Sequence, residues 1–191
     1  MPETYKRTKI GQIFFNAIVK AGLFVARRKV LFYLLSYTWG IITTVIGWLM
    51  FGFAKLFLRK SISYSGKFFT SFFNALGYSW GGVSMGQCFF FSVNYTDEYE
   101  IHLKCHELGH SYQSAVLGPF ALLFVSLPSV IRYWQQNIAT KKNKPTKPYD
   151  LAWWEGSASE IGETLLSEST NKDFHFYTKE FKKNPNFGKE L

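Results

Sequence analysis

Residues 30–54 carry no charge over 25 positions, with Arg27, Arg28 and Lys29 before them and Lys55, Arg59 and Lys60 after. As a helix rising 1.5 Å per residue, the run is longer than the ~30 Å hydrocarbon core of a bilayer. Trp39 and Trp48 suit the two interfaces. The pattern predicts a membrane crossing. It is too long for a signal peptide, and no small-residue cleavage site follows it. Residues 10–26 form a second, weaker apolar stretch interrupted by Lys20. It is expected to lie in the interface or to make a hairpin with the first.

Residues 68–96 also lack charge, but Gly77, Gly81, Gly82 and Gly86 break them. The pattern predicts a helix over 68–76, a glycine turn, and one strand over 83–93. Val83, Met85, Gln87, Phe89, Phe91 and Val93 share one face of that strand. Asp97, with Glu100 three positions on, has the character of a helix N-cap. The helix should run through His110 to about Leu117, where Gly118 and Pro119 end it. Residues 141–148 read as a polar loop and 151–166 as another helix. The fold class is therefore α+β and mainly helical. Residues 1–60 are expected to anchor the chain in a membrane, and 61–191 to form a small domain.

Charge sharpens this division. Up to Lys60 there are ten Lys or Arg and one acid, Glu3, whereas from Asp150 onward there are eight acids and five lysines. The net excess of +9 thus belongs to the apolar N-terminal part and to Lys141, Lys142, Lys144 and Lys147. Cations beside apolar segments meet anionic lipid headgroups. No RNA-binding signature, Cys/His finger or base-reading basic helix is present, so no nucleic-acid partner is expected. A hydrophobic content of 47% excludes a disordered chain, and two cysteines exclude a disulfide scaffold. Mean hydropathy of −0.05 argues against a polytopic carrier.

The chemistry concentrates at His106-Glu107-Leu108-Gly109-His110. Histidines at i and i+4 share one helical face, where both imidazoles can reach one tetrahedral zinc ion. Glu107, beside the first ligand, can take a proton from metal-bound water. Gly109 leaves room for a close neighbouring backbone. A third ligand should come from Asp150, Glu155, Glu160, Glu163 or His175. Glu155 is favoured, because it opens Glu155-Gly156-Ser157-Ala158, whose small residues let the next helix pack closely. His102 lies two turns from His110, too far to share the metal easily, and reads as a supporting or exposed residue. Cys105 reads as packing. Tyr112 and Tyr149 are both candidates to stabilise an oxyanion.

These residues carry a resemblance. His106 to Ser114, then Leu117-Gly118-Pro119 and Leu127-Pro128-Ser129, resemble a family of small bacterial membrane metallopeptidase-like proteins. That family has a His-Glu-x-Gly-His-x-x-Gln-Ser signature followed by Gly-Pro and Pro-Ser. Gly81 to Gly86 resemble its glycine-rich strand, and Glu155-x-x-Ala158 its acidic helix. The resemblance covers residues 80–166. It implies a zincin-like domain with a gluzincin-type site: two His, one Glu, and one catalytic Glu. Related gluzincins often place Asp or Asn four residues after the third ligand, where this chain has Ser159.

The expected function is a membrane-anchored, zinc-dependent endopeptidase. Glu107 would be the base and His106, His110 and Glu155 the ligands of Zn2+. Its partners would be an anionic bilayer and a peptide or protein substrate. An edge strand over 84–92 could pair with an extended peptide. Two readings of other classes stand beside this one: a non-catalytic membrane protein stabilised by zinc, and a membrane-surface binding module. Because His110 and Glu155 must meet, the apolar stretch 111–131 should not cross the membrane once. The basic flanks and the two cysteines place the site toward the cytoplasmic face of a bacterial-type inner or plasma membrane.

Overall fold

The computed structural model describes residues 6–58, 63–77, 81–93 and 97–175. Arg59 and Lys60 of the basic flank, and the boundary at 60, lie outside the described residues.

Three helices come first: α1 (Lys9–Ala26), α2 (Lys29–Tyr37) and α3 (Ile41–Phe57). Thr8 caps α1, its hydroxyl accepting from the Gly11 amide at 3.1 Å. Of the two apolar stretches it is α1, the one expected to be weaker, that is long and apolar enough by itself to cross a membrane. The 30–54 run is not one straight span. It bends by 90° between α2 and α3. The cause is polar: Ser36, Thr43 and Thr44 are buried at the corner, and the Thr44 hydroxyl donates to the Ser36 carbonyl at 2.8 Å. The Trp39 indole N–H reaches out of the bend to the Val116 carbonyl at 3.3 Å. A corner with its own hydrogen bonds replaces the uninterrupted helical ladder.

The sheet has four strands in the order β1–β2–β4–β3, where β1 is Ser63–Phe68, β2 Ser71–Leu76, β3 Gly82–Met85 and β4 Cys88–Ser92. β1 with β2 and β3 with β4 are antiparallel hairpins, and β2 runs parallel to β4. Two expectations are corrected here. Residues 68–76 are not helical, because Phe69, at φ +53°, turns the chain between two strands. An aromatic run this short has no period that separates helix from buried strand. Residues 83–93 are two strands, not one. Gly86, at φ +56°, and Gln87 reverse the chain. Consequently, of these two strands only β3 lies at an edge of the sheet, opposite the other edge at β1. β4 lies inside the sheet with all five residues buried.

The second half is helical: α4 (Asp97–Leu117), a π-helical turn (Leu122–Ser126), α5 (Leu127–Lys141), a single 3-10 turn (Tyr149–Leu151) and α6 (Trp153–Thr170). α4 takes Asp97 as its first residue, with Glu98 and Glu100 also in the positive first turn. One core joins both halves of the chain. Ile18 and Val25 of α1 and Phe32 of α2 pack with Phe89 and Phe91 of β4, Leu103 and Leu108 of α4, and Ile161 of α6.

Candidate metal centre

The site is built on the crossing of α4 and α6. A Cβ on Gly109 would strike the Ala158 carbonyl, and one on Gly162 would strike the Cys105 carbonyl. The two backbones therefore touch, and Glu155 at the start of α6 reaches the histidine face of α4. Cys105 is fully buried in this crossing, in keeping with a packing role.

His106 Nε2 and His110 Nε2 lie 3.1 Å apart, and Glu155 Oε2 is 3.2 Å from each. Among the described residues, this is the group of His, Cys, Asp or Glu whose ligand atoms converge closely enough to hold a metal ion. Bonds of about 2.0–2.1 Å to a tetrahedral zinc put ligand atoms about 3.3 Å apart, so the observed triangle needs almost no adjustment. Two further observations favour a cation. Glu155 is wholly buried, yet its Oε1 has no hydrogen-bond partner. Burial opposes its charge, but the two imidazoles beside it prevail and hold its carboxyl below the usual range.

The outer nitrogens of both rings are oriented. His106 Nδ1 is 2.8 Å from the Ser159 hydroxyl, which donates to Asp150 Oδ2 at 3.1 Å. His110 Nδ1 is 2.7 Å from Gln113 Oε1. The Gln113 amide in turn donates to the Trp154 carbonyl at 2.7 Å and to the Ser157 hydroxyl at 2.8 Å. Both acceptors require a proton on Nδ1, which leaves each Nε2 lone pair free for a metal. Ser159, the residue that departs from the Asp or Asn of the resemblance, thus partners His106, and Asp150 supplies a carboxylate one bond further out. Ser159 and Gln113 had no assigned role in the sequence reading. Gln113 lies three residues after His110, a spacing that could have marked it.

Glu107 projects from the same helix into a cavity of about 410 Å3. It is 4% exposed, and its Oε2 has no hydrogen-bond partner. Burial pushes its carboxyl up to about 8; nearby His110 opposes this and Glu155 reinforces it. The cavity is walled by β3, by the π-turn and α5, and by Tyr149. This position separates the two tyrosines. Tyr149 faces the cavity, with its hydroxyl proton held tightly by burial, by the charge of Glu155 and by a hydrogen bond to that carboxylate. Tyr112 does not; it is 1% exposed, its hydroxyl lies 2.7 Å from that of Thr70, and its ring packs edge-on against Phe32.

The other candidate ligands are elsewhere. His102 is buried rather than exposed, with Nδ1 3.1 Å from Glu163 Oε1. Burial lowers its pKa to about 3. That contact also occupies Glu163 away from the triangle. His175 lies 3.1 Å from the Thr164 hydroxyl, further along α6. Glu160 is only half-buried and no part of the triangle.

Compared with protein-family models, with curated proteins and with solved structures, the chain matches none.

Proposed function

We propose that the protein is a membrane-anchored zinc endopeptidase with a zincin-like catalytic domain. The observation that carries the reading is the buried His106–His110–Glu155 triangle, with the Glu107 carboxyl, whose Oε2 has no hydrogen-bond partner, beside it in a cavity. A purely structural site has no use for a buried base at its open side.

His106, His110 and Glu155 would hold the metal. When bound, zinc supplies Lewis acidity that polarises a peptide carbonyl and acidifies water. Glu107 would take the proton from the attacking water and pass it to the leaving amine, as a buried carboxyl beside the metal can. Tyr149, on the cavity wall, would donate to the developing oxyanion. β3, paired with β4 on one side only, lines the cavity and offers an edge along which an extended peptide can lie.

The anchor is α1, with the bent α2–α3 pair beside it. Ile10, Ile13, Phe14 and Phe24 of α1 and Val45, Leu49, Phe53 and Phe57 of α3 are exposed apolar residues that a bilayer would cover. Basic flanks suit the cytoplasmic side. The stretch 111–131 is broken at Gly118, at φ +58°, and His110 lies 3.2 Å from Glu155, which supports a stretch that does not cross once.

The test is purified protein assayed for metal content and for hydrolysis of a casein substrate. About one zinc per chain, with activity lost in Glu107→Gln while zinc is retained, is the expected result. Parental cleavage by that variant overturns the mechanism.

A further inference from the structure

The apolar lining of the cavity does not stop at its rim. Val130 and Trp134 form part of the cavity wall, yet they are 51% and 60% exposed. Leu123, Phe124, Leu127 and Ile131, on the same π-turn and helix, are exposed as well. α5 has no buried residue. It is held by its polar side, Arg132 donating to the Pro148 and Tyr149 carbonyls and Gln136 to that of Lys147. No acid occurs from Leu108 to Tyr149, whereas Arg132, Lys141, Lys142, Lys144 and Lys147 all fall there. An exposed apolar face ending in lysines is the composition of a helix lying in the plane of an anionic bilayer.

We propose that the π-turn and α5 seat in the lipid interface and that the cavity opens sideways onto the bilayer, so that the occupant is an apolar stretch of a membrane-inserted polypeptide. Val130 and Trp134 belong at once to the cavity wall and to the exposed apolar face, which joins the two. A polypeptide fits better than an acyl chain, because edge strand β3 along the same wall offers backbone hydrogen bonds that hydrocarbon cannot make. The inference takes its chemistry from the peptidase reading, but its binding step stands apart from catalysis.

The experiment uses full-length Glu107→Gln protein in vesicles of phosphatidylglycerol and phosphatidylcholine. Two fluorescent peptides of equal length are compared, one of Leu, Ala and Phe, the other of Ser, Gln and Glu. The apolar peptide should bind at least about tenfold more tightly. Val130→Glu, an exposed position, should remove most of that preference while zinc content stays at the parental level. Equal binding of the polar peptide, or an unchanged preference in the Val130 variant, overturns the proposal. So does labelling of Met85 by a photoactivatable phospholipid without peptide binding, which would make lipid the occupant. Hydrolysis by the parental protein separates this inference from the reading it rests on. An apolar peptide that binds but is never cleaved refutes the peptidase and leaves the route from the bilayer standing. A polar peptide cleaved as fast as the apolar one does the reverse.

Discussion

Ser159→Ala isolates the relay behind the first histidine. The substitution removes one hydroxyl and both of its bonds, the 2.8 Å contact with His106 Nδ1 and the 3.1 Å bond to Asp150 Oδ2. Ser159 is wholly buried and Asp150 nearly so, so water cannot easily replace either bond. Each net hydrogen bond contributes about 0.5–1.5 kcal/mol, and a buried polar group left unpaired costs about 1–3 kcal/mol. The His106 ring also loses the acceptor that fixes its tautomer, which for metal-bound histidines reduces affinity roughly 10- to 100-fold. That range corresponds to about 1.4–2.8 kcal/mol, in keeping with the hydrogen-bond estimate. The assay is competition for zinc against a chelator of known affinity. Asp150→Asn should weaken zinc by a similar amount. Because the two residues act in series, the double variant should be little worse than either single one. Additive losses, or parental affinity in Ser159→Ala when His106→Ala has lost the metal, would refute the relay.

Four further outcomes are expected. Glu155→Ala should lose zinc while Glu160→Ala and Glu163→Ala keep it; metal analysis of the three purified variants decides this, and the reverse pattern would move the third ligand. Gly162→Ala should destabilise the fold by about 1–3 kcal/mol in denaturant titrations, since its methyl meets the Cys105 carbonyl and forces α4 and α6 apart. Loss of zinc should accompany it, because Glu155 rides on α6. Cys88 is fully buried, and burial pushes its thiol up to about 12 from an ordinary value near 9. The folded chain then holds that proton more tightly than the unfolded one, so this group's contribution is complete below pH about 9 and is lost as pH rises toward about 12; Cys88→Ala should flatten that alkaline slope in equilibrium unfolding.

Much of the candidate centre was legible before any coordinates, because its chemistry is local. Two histidines four residues apart on a helix must share a face, and Glu107 between them must sit beside the same face. The acid at the head of the next small-residue helix was a longer inference. Glu155 does meet the two histidines, because Gly109, Ala158 and Gly162 are the residues that permit two helices to touch. Mainly helical α+β character followed from the same periodic runs.

Short apolar segments were where local pattern failed. Residues 68–76 and 83–93 are aromatic whether they form helix, one strand or two, and their hairpins depend on Phe69 and Gly86 taking positive φ against neighbouring strands. The 90° corner in the uncharged 30–54 run likewise depends on partners far along the chain, Trp39 finding the Val116 carbonyl across 77 positions. The Ser159–Asp150 relay, and which of Tyr149 and Tyr112 faces the cavity, are decided by which side chains α6, the 3-10 turn and the β1–β2 turn bring to α4. Spacing along one helix determines the face a residue occupies; what that face meets is set by contacts between elements, and those only the packed chain determines.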